Sequence, residues 1–163
     1  LPPPFAAAWD AHRTVMAVDM AHNLGALVAR SPKRASATLR DFLAEGRKVP
    51  AVRYLAALDE ARLYRDGLTE IFKYFDAIVT PATAGVAPRT LASTGDPAFC
   101  SLWTLLGVPA LSLPILEGEA GMPLGVQVVG PAGDDARLLR TARWLMKSLA
   151  GLPKKAAKRR RAR

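Results

Sequence analysis

The sequence is poor in several things that would define its role at once. It has one cysteine, Cys100, in 163 residues. A lone cysteine cannot close an internal disulfide, so the expected setting is a reducing compartment, the cytoplasm. No apolar run approaches the roughly 20 residues that a membrane-spanning helix needs, so no membrane partner is expected. There is no initiator methionine. Leu1-Pro2-Pro3-Pro4-Phe5 also lacks the basic n-region of a signal peptide, so the start reads as the middle of a longer protein. A Gly-rich phosphate loop, a metal-ligand cluster, a Cys–His pair at a telling spacing and an internal repeat are all missing. His12 and His22 stand ten apart, not at the i, i+4 spacing of a helical metal pair. Neither a cofactor nor a metal is therefore expected.

What is there describes a globular domain with a charged appendage. Hydrophobic residues are 50% and charged residues 23%, enough for one domain with a real core. The formal net charge is +9, and Lys154, Lys155, Lys158, Arg159, Arg160, Arg161 and Arg163 supply seven of those charges. Without them, 16 basic residues face 14 acidic ones. The basicity is thus read as a property of the tail. Residues 1–150 are expected to form the domain, and 151–163 a basic, disordered tail. The tail's one plausible partner is a polyanion, held weakly and electrostatically. It has no aromatic residue to stack on bases.

The hydrophobic pattern predicts helices first. Residues 5–30 carry a broad apolar stripe of Phe5, Trp9, Val15, Met16, Val18, Met20, Leu24, Leu27 and Val28, ended by Ser31-Pro32. A short helix over Ser36–Glu45 follows, with Leu39, Phe42 and Leu43 on one face and Gly46 at the C′ position. Pro50 is expected at the first position of a long helix to Phe75. Leu55, Leu58, Ala61, Tyr64, Leu68, Ile71 and Phe75 would face the core, and Gly67 would permit close backbone approach.

The second half changes period. Three short apolar runs, Ala77–Thr80, Ala110–Leu113 and Leu124–Val129, read as strands buried on both faces. Prolines 81, 109, 114, 123 and 131 are taken to mark run ends, where a missing N–H costs no ladder bond. Between the strands lie a long Gly/Pro/Ser/Thr loop, Pro81–Pro97, and a short helix from Ala98 to Leu106 capped by Gly107. Glu117–Gly121 would join the last two runs as a hairpin. Asp134 or Asp135 would cap a final helix, with Leu138, Leu139, Ala142, Leu145 and Met146 inward. Gln127 is expected to hydrogen-bond a neighbouring loop, because a buried amide must be satisfied. The fold class is α/β, a mixed sheet flanked by helices.

An ordered string of short motifs carries a resemblance. Arg40-Asp41-Phe42-Leu43-Ala44-Glu45-Gly46 comes first, then Tyr54-Leu55-Ala56-Ala57-Leu58, then Phe75-Asp76-Ala77-Ile78-Val79-Thr80-Pro81-Ala82-Thr83. Thr94-Gly95-Asp96 and Trp103-Thr104-Leu105-Leu106-Gly107-Val108-Pro109-Ala110 follow, and Gly121-Met122-Pro123-Leu124-Gly125-Val126-Gln127-Val128-Val129-Gly130 closes the string. Over residues 1–149 the chain resembles the C-terminal half of the amidase signature family.

The resemblance implies a partial amidase-signature fold. It also implies hydrolysis of carbon–nitrogen bonds by a Ser–Ser–Lys triad whose members lie in the family's other half. None of Ser93, Ser101, Ser112 or Ser148 stands in a triad context, so no catalytic residue is expected here and the chain alone should be inactive. A small-molecule amide is a partner only if the missing half is joined. The resemblance points to Thr80, Asp96, Phe99 and Trp103 as substrate-binding positions. Two alternatives stand beside the hydrolase: part of the amidase-like A subunit of a tRNA-dependent amidotransferase, and a non-catalytic, basic-tailed interaction protein.

Overall fold

The computed structural model describes residues 3–90 and 93–150; the stretch 151–163 set apart by its charge lies outside the described residues. A helical first half, α1 (Ala8–Arg30), α2 (Ala37–Gly46) and α3 (Ala51–Phe72), precedes an α/β second half. That half runs β1 (Ile78–Pro81), α4 (Ala98–Leu106), β2 (Ala110–Glu117), β3 (Pro123–Val129) and α5 (Asp135–Ala150). A short 3-10 turn, Pro3–Ala7, leads into α1.

Local chemistry sets the ends of these elements. Ser36 Oγ accepts the Leu39 N–H at 3.1 Å and caps α2. Asp134 Oδ1 accepts the Arg137 N–H at 3.0 Å and does the same for α5. Gly107 ends α4 in the left-handed region (φ 61°), as its position predicts. Arg65 Nε donates to the Leu106 carbonyl at 2.8 Å, a terminal acceptor that has no partner within its own helix.

Several helical expectations are corrected. Pro50 is the N-cap of α3, with extended ψ (143°), rather than its first helical residue. The helix stops at Phe72, and Phe75 is exposed. Gly46 is the last residue of α2, not a residue beyond it, and a Cβ there would overlap the Ala17 carbonyl oxygen. Small residues make the closest contact between α1 and α2, Gly46 against Ala17 and Ala21. Ala8, Ala11, Ala17 and Gly25 are the buried positions of α1, and Ala57, Ala61, Leu68 and Phe72 those of α3. Trp9, Met16, Leu27 and Leu55, expected inside, are exposed. The axes come close where side chains are small, which leaves the large ones at the rim. Gly67 needs no such tolerance, since a Cβ there would meet the Phe5 ring at an ordinary 3.6 Å.

The sheet has the order β1-β3-β2, and both pairings are antiparallel. The α/β class and the β2–β3 hairpin are as expected, but β2 continues to Glu117. Its register shifts between Leu113 and Leu116, and Pro114 falls inside the strand at that shift instead of at its end. An edge strand tolerates this, because a bulged residue needs no ladder partner for its N–H.

Helices cover both sheet faces. On one, α4 packs with α1 and α3 behind it, enclosing Phe5, Leu68, Phe72, Leu102, Trp103, Leu106 and Val129. On the other, Leu138 and Ala142 of α5 meet Leu113 and Val128. Leu139 and Met146 of α5 point outward, against expectation. Only β3 is buried on both faces, through Gln127, Val128 and Val129. The edge strands β1 and β2 are not: Val79 is 57% and Leu116 51% exposed. Phe75 and Trp144 are exposed as well, and with the edges of β1 and β2 open, chains are expected to pair with one another. The purified chain should bind a hydrophobic dye and aggregate on heating. A monomer with a sharp, reversible melt and no dye binding would contradict this.

Candidate functional site

Strand register builds the site from below. Thr80, Gln127 and Ser112 are direct partners across the three strands, so their side chains emerge in one row on the α4 face. Gln127 is 7% exposed and therefore needs partners. Its Oε1 lies 3.4 Å from Thr80 Oγ1, and its Nε2 4.0 Å from Cys100 Sγ on α4. The amide is thus held by a strand and a helix, where the sequence suggests a loop. Pairing continues past Pro81, since the Ala82 N–H donates to the Gly125 carbonyl at 3.0 Å. Gly125 has to be small: a Cβ there would stand 2.5 Å from Ser112 Oγ and 3.0 Å from the Ala82 Cβ.

Above Ser112 and Gly125 opens a cavity of about 370 Å³. Its walls are the loop Ala82–Pro88, the turn Thr94-Gly95-Asp96, and Pro123. The loop is held at its middle, where Val86 packs so tightly on Gly118 that a Cβ on that glycine would overlap it. Gly95 allows the turn through a positive φ of 92°. Among the described residues of the lining, Asp96 is the one ionisable side chain. Its Oδ1 accepts the Ala98 N–H at 2.9 Å at the start of α4, where an anion is favoured by the helix dipole. The size lies in the range of small-molecule sites, and the lining combines small apolar side chains with the hydroxyls of Thr83, Thr94 and Ser112. Among the described residues that line it there is no lysine or histidine to activate a hydroxyl, so the cavity can hold and orient a small molecule but has no activated nucleophile.

The four positions singled out by resemblance are placed differently. Asp96 borders the cavity. Thr80 stands two residues before the lining begins at Ala82, with its hydroxyl 3.1 Å from the Pro81 carbonyl. Phe99 is half-buried on the first turn of α4. Trp103 is 5% exposed within the core and does not line the cavity. Sequence reasoning missed Ser112 and Gly125 as lining. The available signals were a hydroxyl in an apolar strand and a glycine inside another, the mark of close approach.

A larger groove of about 410 Å³ lies between α1 and α4, lined by His12, Met16, Asp19, Met20, Thr104 and Leu105 among others. Burial pushes the His12 pKa down from its ordinary value. Asp19 accepts a 2.8 Å hydrogen bond from the Tyr54 hydroxyl, which raises the tyrosine's pKa. None of the four resemblance positions reaches this groove.

The family model described as Amidase matches residues 5–139. The A subunit of a glutamyl-tRNA(Gln) amidotransferase from Anaeromyxobacter sp. (strain K) is 38% identical over 108 residues, covering 61% of this chain and 22% of that protein. A fatty acid amide hydrolase of Medicago truncatula is 36% identical over 115 residues, 63% of this chain and 19% of that one. The crystal structure of an amidase superposes with a TM-score of 0.80 at 26% identity, over 89% of this chain and 36% of that chain. This chain therefore spans only a minor part of the length of each relative. Among the described residues, no helix is long and apolar enough to cross a membrane. With the family model matched over most of its length, and the same fold present in a solved amidase, the chain belongs to the amidase family.

Proposed function

We propose that this chain forms the substrate-pocket side of an amidase-signature amide hydrolase, and that it turns over amides only together with a polypeptide that carries the Ser–Ser–Lys triad. The observation that supports this is the cavity between the 82–88 loop and the Thr94-Gly95-Asp96 turn, which among the described residues has hydroxyls and a carboxylate but no lysine or histidine. In this reading a small amide lies over Ser112 and Gly125 with Asp96 at its polar end. Thr80 fixes the sheet row beneath, and Phe99 and Trp103 set the angle of α4 behind it. The lone Cys100 supports a cytoplasmic setting.

The test is the purified chain by itself. It should hydrolyse aliphatic and aryl amides no faster than buffer, because an unactivated serine hydroxyl is a weak nucleophile at neutral pH. Turnover that survives further purification and is lost in Ser112→Ala would overturn the proposal. A second reading, part of the amidase-like A subunit of a tRNA-dependent amidotransferase, is favoured by the 38% identity to such a protein. It is distinguished by glutamine being the amide consumed once the triad is supplied.

A further inference from the structure

The two edges of the sheet are not alike, and register shows which backbone groups each turns outward. The Ala82 N–H bonds to the Gly125 carbonyl opposite it, and in an antiparallel ladder bonded and unbonded pairs alternate. Ile78 and Thr80 therefore direct their N–H and carbonyl groups to β3, while Val79 turns both of its groups away from the sheet. Pro81 also faces outward, where its missing N–H costs the sheet nothing and closes the outward row at its end. On β2 the Gly130 N–H bonds to the Pro109 carbonyl at 3.0 Å, which leaves Ala110, Ser112 and Pro114 facing outward. Pro114 has no donor and sits at the register shift in the middle of the strand, so this edge cannot carry a continuous ladder.

Side-chain cover separates the edges as well. α5 lies over β2 and β3, where Leu138 and Ala142 meet Leu113 and Val128. Val79 is the direct partner of Val128 on the same sheet face, yet it is 57% exposed where Val128 is 0%. Phe75, which leads into β1, is exposed too. Arg137 of α5 holds the approach to β1 by donating to Asp76 at 2.9 Å. An edge with free backbone groups and apolar side chains beside it fits an extended segment, for which main-chain bonds give the affinity.

We propose that the outer edge of β1 is where the triad-bearing polypeptide docks, by adding a strand to the sheet against Val79. This docking deepens the function proposed above and rests on it. The chain superposes on 36% of the solved amidase with a TM-score of 0.80, so in that protein the larger part of the polypeptide packs against this same fold. An added strand lies about 4.8 Å beyond its neighbour. Past Pro81 the chain passes directly into Ala82, the first residue of the cavity wall. A strand docked on β1 therefore ends beside the cavity, where an activated hydroxyl is needed. A second copy of this chain fits the edge less well, because β1 against β1 would set two Pro81 residues in one four-residue ladder, each without a donor.

The experiment compares the full chain, in dilute solution, with the full chain joined to the triad-bearing portion of the solved amidase, by hydrogen exchange read at single amides. In the chain alone the Val79 amide should exchange fast between protected Ile78 and Thr80. In the joined protein it should slow by about a hundredfold or more. V79K places a charge on the edge, the device by which natural edge strands refuse a partner. Val79 is exposed and its N–H is not bonded to β3, so V79K alone should keep the wild-type urea midpoint. In the joined protein V79K should abolish protection at position 79 and lower kcat/KM by about tenfold or more. L116K, on the β2 edge and also exposed, should leave both unchanged. Fast exchange at Val79 in the joined protein would overturn the docking edge, as would protection that survives V79K and is lost in L116K. So would Val79 protection in the chain alone that rises with its own concentration and does not change on joining, since a second copy would then be the occupant. The two proposals fail separately: turnover with Val79 unprotected overturns the docking edge, and Val79 protection without turnover supports the edge and overturns the function.

Discussion

Gly46→Ala is expected to cost the chain about 3 kcal/mol or more, the upper end of what an added methyl does in a packed interface. The backbone at Gly46 is helical, so alanine is conformationally welcome there and its intrinsic propensity would favour it by about 1 kcal/mol. Sterics decide the sign. The new Cβ would overlap the Ala17 carbonyl oxygen and stand 3.0 Å from the Ala21 Cβ, both on α1. A backbone carbonyl cannot swing aside as a side-chain tip can, so α2 would have to lift from α1. That movement would also pull Glu45 from Arg13, a 2.8 Å pair too exposed to hold the helices together by itself. Gly67→Ala is the control: it adds the same methyl to α3, meets only the Phe5 ring at 3.6 Å, and should stabilise by up to about 1 kcal/mol. Urea unfolding followed by circular dichroism reads both. Equal effects at the two glycines would show that α1 and α2 are not in the close contact described.

Trp103→Ala is expected to destabilise by about 3–5 kcal/mol, the usual range for emptying a buried tryptophan site. Trp103 packs with Leu102, Leu106, Leu68 and Val129, at the junction where α4 joins the first helices to the sheet. Its Nε1 is buried without a hydrogen-bond partner among the described residues. An unsatisfied donor of this kind costs about 1–3 kcal/mol, so Trp103→Phe removes a penalty along with some packing and should lose far less than the alanine variant. The pair separates two roles for the side chain. If Trp103 served substrate binding alone, Trp103→Ala would leave the urea midpoint in place.

The elements of this fold are largely legible in the sequence because they rest on local signals. Ser36, Gly107 and Asp134 are terminal residues whose chemistry acts within a few positions, and α2, α4 and α5 begin or end where those residues say. The direction in which each helix faces is not legible. A large apolar side chain marks an amphipathic stripe, yet here alanines and glycines make the closest contacts, and their small size carries no hydrophobic signal. The pattern places Leu55, Leu27 and Trp9 inside for that reason. Burial on both sheet faces holds for β3 because it is the central strand. For β1 and β2, the apolar composition of Val79 and Leu116 says nothing about which partner covers them. At the site, the 81–97 loop and the Thr94-Gly95-Asp96 turn are visible as a Gly- and Pro-rich break. Their convergence over Ser112 and Gly125 depends on register between strands distant in sequence, which no local pattern encodes.

The claim that this chain supplies a substrate pocket without a nucleophile is tested most directly by joining it to the triad-bearing portion of a relative and measuring amide hydrolysis. The account predicts that turnover arises on joining. It should then fall at least about tenfold in kcat/KM, equivalent to about 1.4 kcal/mol of transition-state stabilisation, in Gly125→Val. That side chain would press on Ser112 Oγ and the Ala82 Cβ at the cavity floor. Asp96→Asn should act mainly through KM, since asparagine keeps an acceptor for the Ala98 N–H while removing the charge. Turnover in the joined protein that is indifferent to both substitutions would contradict the account.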